Sequence, residues 1–220
     1  MRFIADIGGT NARLAMSENG VIRPQSVRNY ANDDWPHFND MLTAYLADQS
    51  IIALTDMVIA LAGPVTGERA ELTNRNWMLD TSDLKRVAKC DKVTLLNDLT
   101  ALGYSVSVLR PDQLKQLHSG NIQGSEVGQS LVVGIGTGFN VSPVIQTANT
   151  VTCLSVEAGH VSMPLSIVVM LEDCLKQGPS FATVEDLFSG RGFTQFCQVF
   201  CNDSKLQGAS AVAVYGKSKL

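Results

Sequence analysis

Residues 2–16, RFIADIGGTNARLAM, decide how the rest of the chain is read. Apolar residues lead up to Gly8–Gly9–Thr10–Asn11 and resume beyond it, so residues 3–7 and 12–16 read as two strands joined by a tight turn. A turn without Cβ atoms lets backbone N–H groups approach an anion closely, and Thr10 adds a hydroxyl. Taken alone, such a turn is more often an ordinary hairpin. Asp6 shifts the balance: a carboxylate within an apolar strand is costly unless paired or near a metal, and Mg2+ accompanies nucleotide phosphates.

The same device returns downstream. Residues 131–135 and 141–145 read as strands around Gly136–Thr137–Gly138, so two lobes, 1–110 and 111–220, each carry a strand–glycine-turn–strand unit, as an internal duplication would leave them. Between the two turns, strands and helices alternate. Residues 34–48 have helical spacing, with Asp33 or Asp34 as the cap, and 57–62 form a buried strand stopped by Gly63–Pro64. A helix over 81–89, a strand over 93–96 ending on Asn97–Asp98, and a helix over 99–108 complete an α/β lobe. In the second lobe, 119–128 reads as a surface loop, 151–155 as a strand, and 166–176 and 192–200 as helices.

Bulk properties narrow the function classes. The chain has 220 residues, 45% of them hydrophobic and 17% charged, with a formal net charge of −4, which suits a folded protein of one or two domains. Its scattered Lys and Arg give no nucleic-acid footprint, and no apolar run reaches the ~18 residues a membrane span needs. Five cysteines at irregular spacing read as reduced thiols; Cys197 and Cys201 share one helical face as half a metal site could, but no His or further Cys lies near them in sequence, so core packing is the expected reading. Familiar nucleotide motifs fail: Phe139 stands where Gly134–Gly138 would need the sixth residue of a dinucleotide fingerprint, and 211–218, AVAVYGKS, leaves no helix after its lysine.

Seven blocks in order carry a resemblance: Asp6–Ala15, Leu61-Ala-Gly-Pro-Val-Thr-Gly67, Leu72-Thr-Asn-Arg-Asn-Trp77, Leu96-Asn-Asp-Leu-Thr-Ala101, Gly136-Thr-Gly138, Val156-Glu-Ala-Gly-His-Val161 and Leu187-Phe-Ser-Gly190. This set resembles the bacterial glucokinases, members of the actin-like, hexokinase-like ATPase superfamily. The resemblance implies a two-lobed actin-like ATPase (ribonuclease H-like) fold with mixed sheets, here with the second lobe incomplete. It implies ATP-dependent phosphorylation of glucose, or a similar hexose, to glucose 6-phosphate in the cytoplasm, a glycolytic reaction, by a homodimer. A non-catalytic sugar-binding module or regulator is the alternative, because the family's later Ala-Gly-Gly motif, which contacts adenosine, is absent from this sequence.

By motif, Asn97 and Asp98 correspond to the family's hexose-binding pair, with Asp98 as catalytic base. Glu157 and His160 match the E-G-G-H sugar motif, and Glu185 a further sugar-binding carboxylate. Gly8, Gly9, Thr10, Asn11, Gly136, Thr137 and Gly138 would hold the ATP phosphates, and Asp6 would hold Mg2+ through water. Out of context, Asn–Asp after a strand is usually a cap and Glu–x–x–His a surface pair; the ordered set reverses that weighting. Two positions depart from the pattern: Ala158 and Asn140 each stand where the family has glycine, and Asn140 would narrow backbone access to a phosphate. The cysteine cluster of the zinc-containing branch is missing after His160.

Overall fold

The opening stretch forms an antiparallel pair, β1 (Arg2–Ile7) and β2 (Asn11–Glu18), with Ile7 opposite Ala12. In the computed structural model, which describes residues 1–73, 75–117, 128–175 and 179–201, the chain divides into two compact units, Met1–Ala101 and Leu102–Leu220. Most of the polar segment 119–128, Lys176 at the end of the expected helix, and the stretch 202–220 with its lysine motif lie outside the described residues.

In the first unit, β3 (Val21–Ile22) and β4 (Arg28–Ala31) both pair with β2. Helix α1 (Phe38–Asp48) leads to β5 (Asp56–Leu61), which joins β1 in parallel. A small separate sheet follows, made of β6 (Val65–Thr66), β7 (Arg69–Glu71) and β8 (Met78–Asp80). Helix α2 (Thr81–Ala88) then leads to β9 (Lys92–Asn97), parallel to β5, and α3 (Asp98–Ser105) continues directly from it. The result is a six-stranded mixed sheet in the order β3-β2-β1-β5-β9, with β4 beside β2. Phe3 and Ile7, Leu14 and Met16, Met41, Leu42 and Tyr45, and Met57, Ile59 and Leu61 bury the helix faces against the strands in one core. Full burial of each such side chain contributes about 1.5–3 kcal/mol.

Helix α1 starts four residues later than its spacing predicts. Trp35 is held extended (φ −130°, ψ 128°), as the residue before a proline must be, and Asn32–Asp34 forms a separate 3-10 turn. Neither Asp33 nor Asp34 caps α1; its N-cap position is His37. Helix α2 is capped by Asp80, whose side chain accepts the Ser82 N–H at 2.9 Å, and Lys89 closes it in the left-handed conformation.

The second unit is built on an antiparallel sheet of β10 (Gln129–Ile135), β11 (Phe139–Gln146) and β12 (Val151–Cys153). Helices α4 (Leu165–Leu175), α5 (Val184–Phe188) and α6 (Gly190–Phe200) follow. Met163, Leu175, Phe181 and Leu187 form its smaller helical core. Leu131, Val133 and Ile135, alternating along β10, are exposed, while Val132 between them is buried. Cys197 is buried and Cys201 exposed, both as free thiols.

Candidate active site

Parallel pairing decides which loops of the first unit share an end of the sheet. Ile7 is level with Leu61, and Leu61 with Asn97, so the three carboxyl ends align. The Gly8–Asn11 turn, the Ala62–Gly63–Pro64 corner and the Asn97–Asp98 pair therefore emerge at the same edge, the place where open α/β sheets bind ligands. Gly63 is obligatory there: a Cβ would stand 1.9 Å from the Glu71 carbonyl oxygen. The Gly63 carbonyl in turn accepts the Asn97 amide at 3.2 Å.

The first glycine turn is braced from behind by a residue that sequence reasoning missed. Asn32, fully buried, donates its side-chain amide to the carbonyls of Gly8 (2.8 Å) and Gly9 (3.3 Å), and its backbone N–H to Thr10 (2.9 Å). With those carbonyls drawn toward Asn32, the N–H groups of Gly9 and Thr10 make no hydrogen bond among the described residues. That polarity suits an anion. Arg75 holds Asn32 in turn through its backbone oxygen at 3.1 Å, pairs with Asp33, and lies over the Trp77 ring at 5.2 Å. The only sequence signal for Arg75 was its place in the 72–77 block; Asn32 carried none.

Asn97 is a cap as well as a site candidate. Its Oδ1 accepts the N–H groups of Leu99 (3.0 Å) and Thr100 (3.4 Å), opening α3. Asp98 is exposed by surface area, yet the protein around it excludes enough water to push its carboxyl above the ordinary range. The Leu99 N–H opposes that shift, and the nearby Asp6 charge adds to it. Asp6 itself is exposed, because its face of β1 is open to solvent, so the expected cost of burying a carboxylate in the strand does not arise. It makes no hydrogen bond or ion pair among the described residues, and no group of three or more metal-ligating side chains exists among them. A single open carboxylate beside a glycine turn with unpaired N–H groups is a donor set that fits Mg2+ carried in with its own waters and an anion, the one group Asp6 would help to hold.

The second unit gathers the remaining candidates around its own glycine turn. Gly136 N–H donates to the Gly138 carbonyl (2.9 Å), and the Gly136 carbonyl accepts the Gly190 N–H at the start of α6 (2.7 Å). Glu185 spans this turn: one oxygen accepts the Phe139 N–H at 3.0 Å and the other takes Arg191 at 3.1 Å. A short 3-10 turn over Ala158–His160 packs against the same place, where a Cβ on Gly159 would come 2.2 Å from the Phe139 oxygen. Glu157 precedes this turn and His160 ends it, both exposed. The Asn140 amide donates to Glu157 at 3.1 Å, and its oxygen accepts the Ala158 N–H at 3.0 Å. Asn140 therefore turns its side chain toward Glu157 and Ala158.

The chain is similar to known proteins over most of its length. The family model described as "Glucokinase" matches residues 3–215. A glucokinase of Photorhabdus laumondii subsp. laumondii is 32% identical over 200 residues, covering 89% of this chain and 60% of that protein. A glucokinase of Stenotrophomonas maltophilia is 34% identical over 167 residues, covering 73% and 50% respectively. The chain thus spans no more than 60% of the length of these two curated relatives. Among solved structures, a glucokinase from an Antarctic psychrotroph superposes with a TM-score of 0.76 at 25% identity, covering 99% of this chain and 70% of that one. A Balamuthia mandrillaris glucokinase in complex with glucose has the same fold at 21% identity, with a TM-score of 0.63 and coverage of 99% and 68%. The mixed α/β architecture is that of the actin-like ATPases.

Proposed function

The chain belongs to the glucokinase family, and from that premise we propose that it serves ATP-dependent phosphorylation of glucose, or a similar hexose, at the 6-hydroxyl. The observation that carries this is the clustering within each unit: Gly8–Asn11 with Asn97 and Asp98 at one sheet end, and Gly136–Gly138 with Glu157, His160 and Glu185 around the other turn. Each unit pairs an anion-binding turn with groups able to bind sugar hydroxyls.

Asp98 is the proposed base. A carboxylate with a raised proton affinity accepts the 6-hydroxyl proton while orienting the oxygen, and phosphoryl transfer otherwise depends on position and charge neutralisation. Asn97, fixed by Gly63 and by its capping contacts, keeps an amide hydrogen for a hydroxyl. Glu157, His160 and Glu185 recognise the hydroxyls toward the anomeric end. Gly9, Thr10, Thr137 and Gly138 offer backbone N–H groups to phosphate oxygens, and Asp6 would hold the waters of Mg2+, which neutralises phosphate charge when bound. A homodimer and a cytoplasmic location belong to the same proposal. No helix among the described residues is long and apolar enough to cross a membrane.

A coupled assay for ADP release, with ATP–Mg2+ and either glucose or 6-deoxyglucose, tests this function. Glucose-dependent release that 6-deoxyglucose fails to support is expected. Glucose binding without release would favour a sugar-binding module instead.

A further inference from the structure

Asn140 and Ala158 meet in space. Asn140 lies at the start of β11, and its Oδ1 accepts N–H groups from Val141 (2.9 Å) and Ala158 (3.0 Å). Its Nδ2 then points to the Glu157 Oε2 atom at 3.1 Å. The amide thus has two separable jobs. The oxygen ties the sugar-motif backbone to the sheet, and the nitrogen fixes a carboxylate oxygen. Glu157 is exposed, so without that donor its carboxylate would be free to turn among several rotamers.

We propose that Asn140 is a positioning residue that presents the Glu157 carboxylate to a hexose hydroxyl, an inference that rests on the hexose-binding reading above. With one oxygen pinned by Asn140, the other is directed and available as an acceptor. A glycine at this position would have no side chain to do this. The carboxylate–amide contact is charge-assisted, which makes it stronger than a neutral pair.

Asn140→Asp separates the two jobs. Its oxygens still accept the Val141 and Ala158 N–H groups, while the donor to Glu157 is replaced by a repelling charge. The measurement is glucose affinity by calorimetric titration, with thermal melting in the absence of sugar as the control. Asn140→Asp should melt close to the unaltered chain, yet bind glucose roughly ten-fold or more weakly. In a Glu157→Gln background the same change should cost little, because the glutamine amide can donate to the new carboxylate. Should Asn140→Asp fold poorly, Asn140→Ser, too short to reach Glu157, should show the same affinity loss. Unchanged affinity in a chain that binds glucose, or equal losses in both backgrounds, would overturn the role of Asn140 alone. If the unaltered chain binds no glucose, the hexose-binding reading and this inference fail together.

Discussion

The Glu185 carboxylate accepts the backbone N–H of Phe139 at 3.0 Å, joining a proposed sugar-binding side chain to the first residue after the second glycine turn. Its other oxygen is held by Arg191, an exposed partner of small energetic weight. Glu185 is thus part of the turn's architecture as well as a candidate for sugar recognition. Glu185→Gln retains an acceptor for Phe139 and should change thermal stability by less than about 1 kcal/mol. Glu185→Ala leaves that N–H without its partner and should cost about 1–3 kcal/mol, with glucose affinity reduced in both variants. Denaturant unfolding checks the stability half. An alanine variant as stable as the unaltered chain would show that the contact does not matter.

Asp98 links function to pH-dependent stability. Partial exclusion of water by the surrounding protein, together with the Asp6 charge, raises its proton affinity in the folded state, so folding favours the protonated form. The resulting penalty is fully present above the folded-state pKa and vanishes below the ordinary carboxylate pKa of about 4. Asp98→Asn should therefore raise the melting temperature at neutral pH, with the gap closing as pH falls through the carboxylate range. The same variant should lose turnover by roughly 10²–10⁴-fold. Melting curves across pH check the first claim; an asparagine variant less stable at neutral pH, with a pH-independent gap, would contradict it.

Gly63 makes the sharpest packing prediction. An added Cβ would meet the Glu71 backbone at 1.9 Å, and backbone cannot step aside as a flexible side chain can. Gly63→Ala should destabilise the first unit by roughly 1–3 kcal/mol or more. It should also weaken glucose binding, because the Gly63 carbonyl anchors Asn97. A neutral result in both unfolding and titration would refute the close approach.

Local pattern made the two strand–glycine-turn–strand units legible: alternating apolar residues and glycines are short-range signals, and both pairs formed around the expected turns. The apolar spacing predicts a helix from residue 34, but Pro36 holds Trp35 extended and α1 starts beyond the proline. Strands of two or three residues, such as β6 and β7, are too short to show a period, and the five-residue α5 likewise escaped notice. Asn32 was invisible for a different reason. Its partners lie 23 and 24 residues away, so its role exists only once β4 has paired with β2. The candidate site residues came from ordered motifs; their spacing along the chain says nothing of the Asn140–Glu157 contact.

The central claim is that this chain carries a hexose site in which Glu157 and His160 take part. Thermal unfolding of the purified chain, titrated with glucose and with an unrelated polyol, tests it most directly. A ligand selective for the folded state raises the melting temperature as its concentration exceeds Kd, adding about 2.7 kcal/mol at a hundred-fold excess. The account predicts saturable protection by glucose beyond that of the polyol, weakened by Glu157→Ala or His160→Ala and untouched by His37→Ala. Protection by glucose no greater than by the polyol would contradict it.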